Sequence, residues 1–140
     1  MADLVVDASI ASAWCFPDEQ TEYTNKVLEA VSDSLSAFAP SLWAYEVRNS
    51  ILMGLRRSRI SEADATAFLD SLADLHIHLV QPVSYDAVFR LAQISGLTVY
   101  DAAYLDLAMR EGSRLASLDD ALRKAAAKVG VVLFEHSESI

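Results

Sequence analysis

The sequence predicts an α/β domain of three layers, α/β/α, in which helices cover both faces of a mostly parallel sheet of four to five strands. Three observations predict it. Short apolar runs such as Leu4-Val5-Val6 and Val131-Val132-Leu133-Phe134 show no polar alternation, as expected of strands buried on both faces. Those runs alternate along the chain with stretches of helical period, the order that gives parallel sheets. The chain has 140 residues, 53% of them hydrophobic and 22% charged, which suits one globular domain over residues 1–140 rather than a disordered or multidomain protein.

The first run ends abruptly on Asp7. In open parallel sheets the chemistry lies beyond the carboxyl ends of strands, although an Asp there also suits the N-cap of the next helix. Ser9 to Phe16 reads as that helix. Pro17-Asp18-Glu19 breaks it, and the acids suit the start of a helix over Thr21 to Val31. Ser34 to Ala39 is a short strand ended by Pro40. Ser41 is the expected N-cap of a long helix from Leu42 to Arg57. Within it Glu46 falls among Leu42, Trp43, Ser50 and Met53, on an arc where a carboxylate needs compensation. A partner such as Arg57 would provide it; so would a cation in a cleft.

Arg56-Arg57-Ser58-Arg59 suits the negative end of that helix dipole and is also the main local basic patch, a candidate phosphate contact, with Arg48 behind it. Ser61 opens a helix to Asp74 with Ala67, Phe68, Leu72 and Leu75 inward. His76 to Val80 reads as a strand with His76 and His78 on one face. No third metal ligand lies near them in sequence, so solvated or hydrogen-bonded histidines are expected. Ser84 to Ser95 is a helix stopped by Gly96. Thr98 to Glu111 is the next, with Thr98 and Asp101 at capping-box spacing. Asp101 shares the stripe of Leu105 and Ala108, whereas Asp106 lies about 140° round the helix and is read as peripheral. Arg114 to Leu118 is a strand followed by Asp119-Asp120. Ser117 and Asp120 again match a capping box, which leaves Asp119 to point over the sheet edge. Ala121 to Val129 is the last helix, Gly130 its C-cap, Val131 to Phe134 the last strand, and Glu135 to Ile140 a frayed polar tail.

A net charge of −9 excludes a broad basic footprint for nucleic acid. Any nucleic-acid chemistry must use a local patch or metal ions, and the acidity equally suits a basic protein partner. Cys15 is alone, so no internal disulfide framework exists, and a small buried hydrophobe is expected there. The start of the chain has no basic region of a signal peptide and no run nears a membrane span, which points to the cytoplasm. Right-handed crossovers bring successive strand ends to one edge. Asp7 and Asp119 both follow strands, Asp101 sits in the first turn of a helix that packs near that edge, and Glu46 projects from a helix face that could close the pocket. Carboxylates so close demand a cation, and with no Cys/His set the fitting ions are Mg²⁺ or Mn²⁺. Beside a phosphodiester such ions activate water and steady charge on phosphorus.

Asp7-Ala8-Ser9, Glu46-Val47-Arg48-Asn49, Tyr100-Asp101-Ala102-Ala103-Tyr104 and Ser117-Leu118-Asp119, in this order and over nearly the whole chain, resemble the PIN-domain family, in particular the VapC-type toxins of toxin–antitoxin pairs. The resemblance implies a PIN-like fold and a metal-dependent endoribonuclease with Asp7, Glu46, Asp101 and Asp119 as its acidic quartet. It further implies Ser9 and Ser117 as flanking hydroxyls, a homodimer, and an antitoxin that inserts a basic segment into the cleft. Asp120 stands where relatives often carry a basic residue. Two alternatives accompany this reading. One is a PIN-like module that binds a partner without catalysis. The other is an acidic-site phosphohydrolase of another α/β family, although Ser9 replaces the second acid of a dehalogenase-type Asp-x-Asp, and Leu4 to Ser9 lacks the acidic pair of a receiver domain.

Overall fold

The computed structural model describes residues 3–33 and 35–135. Within these residues four short strands form one sheet: β1 (Leu4–Val6), β2 (Ala37–Pro40), β3 (His78–Val80) and β4 (Arg114–Ala116), in the order β3-β2-β1-β4. All pairings are parallel, with Leu4 opposite both Ala37 and Arg114 and Phe38 opposite His78. Leu4, Val5 and Val6 are wholly buried, as their unbroken apolar run requires of a central strand. The fifth expected strand is reduced to a single parallel bridge between Leu115 and Leu133.

Among the described residues seven α-helices connect and flank the strands: α1 (Ala8–Cys15), α2 (Glu22–Asp33), α3 (Leu42–Arg56), α4 (Glu62–Ala73), α5 (Tyr85–Ser95), α6 (Val99–Glu111) and α7 (Asp120–Lys128). The result is the three-layer α/β/α architecture. Helix α6 packs on β1 and β2 and carries α5 on its flank, while α1 packs against α2 and α3. Ala102, Tyr104, Leu105, Leu107 and Ala108 of α6 are all buried, so this helix threads the core with little but its ends exposed. Cys15 is buried as expected. Among the described residues no helix is long and apolar enough to cross a membrane.

Several local expectations shift. Ser41 precedes α3 but makes no side-chain cap, because its φ of −60° and ψ of −25° are already helical, whereas a capping residue normally stays extended. Asp18 and Glu19 lie in a short 3₁₀ turn, Pro17–Glu19, and hold Arg59 at 3.0 and 2.8 Å rather than serving the dipole of α2. In α4 it is Ala65 and Leu72 that are buried, and Ala67 is exposed. His76 sits in the left-handed region at φ 53°, which ends the turn after α4 and keeps it out of β3; the two histidines therefore share no strand face. The expected tail from 136 onward lies outside the described residues.

Because every strand is parallel, their carboxyl ends share one edge. The chain leaves β1 toward β2 and β3, then returns to the other side of β1 as β4. This reversal makes the end of β1, next to β4, the natural crevice for a ligand.

Candidate active site

Asp7 follows β1 at that crevice and is 4% exposed. It does cap α1, accepting the Ile10 amide on Oδ1 at 3.2 Å, and it does more. Ser9 Oγ donates to the same oxygen at 2.6 Å, and Ser117 Oγ donates to Oδ2. Each serine is fixed in turn by a backbone amide from beyond β4: Leu118 N–H donates to Ser9 Oγ and Asp119 N–H to Ser117 Oγ, both at 3.0 Å. Two hydroxyl relays thus tie the end of β1 to the end of β4. Burial pushes the Asp7 carboxyl up to about 6, opposed by its bonds from Ser117, Ser9 and Ile10 and reinforced by Asp101. A carboxylate offers about four lone-pair positions, so these three donors orient Asp7 without using all its acceptor capacity.

Glu46 projects from mid-α3 and is half-buried. Its partner is Tyr104 rather than Arg57: Tyr104 Oη donates to Oε1 at 2.6 Å. Burial raises the Glu46 carboxyl, the Tyr104 bond opposes this, and Asp101 adds to it. Burial and the neighbouring Glu46 and Asp7 hold the Tyr104 hydroxyl firmly protonated, so it acts as a fixed donor. Tyr104 is the residue that sequence reasoning did not assign. Its signal was a polar tip three residues after Asp101 on an otherwise apolar stripe.

Asp101 lies in the first turn of α6, where its own amide donates to Thr98 Oγ1 at 3.1 Å. It is raised by burial and then by the charge of Asp119. Asp119 is not left over by a cap at Ser117; it is itself the N-cap of α7, accepting the Leu122 amide on Oδ2 at 2.8 Å. The capping register is displaced because Ser117 is engaged with Asp7. The electrostatic pattern therefore has one hub: Asp101 interacts with Asp7, Glu46 and Asp119. The acids meet in pairs, however. Among the described residues no three Asp, Glu, His or Cys side chains are gathered closely enough to close around one ion.

The donor chemistry of this cluster nevertheless fits a hard cation, being wholly carboxylate oxygen. Asp101 and Glu46 are only part-buried and Asp119 is exposed, so three of the four carboxylates are open to solvent beside the buried Asp7. Beside Glu46 a cleft of about 350 Å³ opens, lined among others by Ser9, Ser12, Asn49 and Leu118. The other sequence candidates stand apart. Asp106 pairs with Arg110 at 2.9 Å. Arg59 is held by Asp18 and Glu19 and lies over the Phe16 ring, which removes it as a phosphate contact. Arg56 is ten residues beyond Glu46 on α3, about 15 Å along the helix axis.

The sequence pattern of the PIN domain matches residues 4–128. Ribonuclease VapC3 of Pyrobaculum aerophilum is 39% identical over 120 residues, which span 83% of this chain and 88% of that protein. Among solved structures, PAE2754 from Pyrobaculum aerophilum superposes with a TM-score of 0.70 at 25% identity, covering 89% of this chain and 84% of its own. FitAcB from Neisseria gonorrhoeae shares the fold at a TM-score of 0.61 and 15% identity, covering 96% and 98%.

Proposed function

The chain belongs to the PIN-domain family, in its VapC-type branch, and on that premise we propose that it is a Mg²⁺- or Mn²⁺-dependent endoribonuclease, the toxin of a toxin–antitoxin pair acting in the cytoplasm. The observation that carries the reading is the place of Asp7 at the carboxyl end of β1 beside β4, held there by Ser9 and Ser117; the charge of Asp101 on Asp7 and Glu46, and of Asp119 on Asp101, supports it. Asp7 and Asp101 would hold the ion, with Glu46 and Asp119 completing its surroundings. Such an ion, when bound, polarises a phosphate oxygen and makes water a better nucleophile. The protein's own part is orientation. Ser9 and Ser117 hold Asp7 in one rotamer, Tyr104 holds Glu46 by one oxygen, and α7 holds Asp119 by its cap. Asp101 caps no helix, and its carboxyl is bonded only to the Thr98 hydroxyl one turn back, so it is the group best able to swing and complete a site.

The same concentration of negative charge favours an antitoxin with a basic segment, and the exposed Phe89 and Ile94 of α5 favour a homodimer that covers them. A second reading draws on the pairwise arrangement of the acids: a cleft that holds a basic partner and cuts nothing. Incubation of single-stranded RNA with the protein separates the two. Cleavage that needs Mg²⁺ or Mn²⁺, stops with a chelator and is lost in Asp101→Asn supports the nuclease; intact RNA under all conditions supports the binding module.

A further inference from the structure

Of the acids, Asp7 and Asp119 lie at the sheet's carboxyl edge just beyond β1 and β4. Beyond β2 and β3 on the same edge lies a separate slot of about 240 Å³, walled by Pro40, Pro82, Tyr85, Val99 and Tyr100. Tyr100, on its wall, directly precedes Asp101 in the first turn of α6. The slot carries little charge: its guanidinium, Arg110, is already paired with Asp106. Tyr85 and Tyr100 nonetheless remain 74% and 64% exposed, two large aromatic faces at the mouth of an apolar hollow. The space is too small for a helix, whose diameter is about 10–12 Å with side chains. A flat ring with two apolar faces and a polar rim suits it. Tyr85 Oη donates to Gln81 Oε1 at 3.3 Å, and that orientation leaves the Gln81 amide hydrogens to meet such a rim.

The charge inventory points the same way. The chain has 11 Lys and Arg against 20 Asp and Glu, and Arg59, Arg110 and Arg123 are engaged with carboxylates. Contacts to phosphates are a poor source of affinity for such a protein. Stacking of bases on aromatic side chains is not, because every base has a π-face and unpaired bases can turn outward.

We propose that the slot between Tyr85 and Tyr100 seats one unpaired base of the RNA strand next to the acidic centre, and that this stacking rather than phosphate contact dominates RNA affinity. The inference rests on the ribonuclease reading above. It is tested by steady-state cleavage of a short single-stranded RNA with Mg²⁺. Tyr85→Ala and Tyr100→Ala each raise KM roughly 5- to 100-fold, the range for loss of one stacked base, while Tyr85→Trp and Tyr100→Phe retain it. Substrates with single abasic positions identify the seated nucleotide: wild type loses affinity for one of them, and the alanine variants do not lose it again. KM depends weakly on salt, with a log–log slope shallower than about 1.5, which corresponds to about two phosphate contacts on a single strand. If wild type cuts RNA and both alanine variants keep its KM, the slot is wrong and the nuclease reading stands. If the alanine variants sediment at half the mass of wild type, the slot is a subunit contact and the proposal fails. If wild type cuts no RNA, both proposals fall together.

Discussion

Replacing Asp7 with Asn is expected to make the metal-free protein more stable while removing its activity. The perturbation is nearly isosteric. The Asn oxygen can keep the Ser9 and Ile10 donors, and its amide faces Ser117 Oγ, which can rotate to accept because a hydroxyl has two lone pairs and the Asp119 amide occupies one. What disappears is a buried charge. Burial lifts the Asp7 carboxyl from 3.8 to about 6. A carboxyl raised by folding favours the folded state while protonated; that contribution is complete below pH 3.8 and lost as pH rises through about 6. At ~1.4 kcal/mol for each pH unit, ionised Asp7 costs the fold about 3 kcal/mol at neutral pH. The neutral Asn avoids this, and for a chain of this length the gain raises Tm by about 10 °C. Scanning calorimetry in chelator, from pH 4 to 8, reads it directly. The variant should melt well above wild type at pH 7.5, and the two should converge near pH 4. A variant that melts at or below wild type at pH 7.5, or a gap that ignores pH, would refute the claim that Asp7 is a buried charge held at the expense of stability.

Tyr104→Phe removes the donor to Glu46 and is expected to cost about 1.5–3 kcal/mol, the range for a hydrogen bond to a charged group; carboxyl NMR titration should show Glu46 rising further from its usual range, since the Tyr104 bond now opposes the rise. Ser117→Ala deletes a bond that lowers the Asp7 carboxyl, so the acid limb of the pH–rate profile for RNA cleavage should move to higher pH, and an unmoved limb would detach Ser117 from Asp7. Gly54→Ala would set a Cβ at 2.5 and 2.6 Å from ring atoms of the buried Phe16; overpacking of this kind costs ~1–3 kcal/mol, which denaturant unfolding should register as a lower midpoint at unchanged slope.

The parts of the fold legible in the sequence were those dictated by burial. Leu4-Val5-Val6 could only be a central strand, and the stripe of Leu105 and Ala108 could only face inward, because local composition and tertiary environment agree there. Gly96, in the left-handed region at φ 69°, stopped α5 where its lack of a Cβ permits. The readings that shifted were those set by competition between equivalent partners. Ser117 and Asp119 are both good caps, and nothing local tells which one the helix takes; the choice is made 110 residues away, by Asp7 claiming the Ser117 hydroxyl. The same holds for Asp18 and Glu19, which suited a nearby helix dipole but are held by Arg59, some 40 residues on. Tyr104 went unassigned because a tyrosine on an apolar stripe reads as core, and only the arrival of Glu46 from α3 makes its hydroxyl a donor to the acidic cluster. The four acids were singled out because an ordered set of separate motifs carries them, and the least local of these, mid-helix Glu46, is the one that no capping role explains.

The central claim is that these carboxylates form one cation site with Asp101 as its common member. Titration calorimetry of the protein with Mn²⁺ at pH 7.5 tests it most directly, with wild type and Asp101→Asn side by side. Saturable binding to wild type, weakened at least about tenfold in the variant by the loss of one coordinating charge, is the expected result. No heat from wild type, or equal binding by both proteins, would contradict the account.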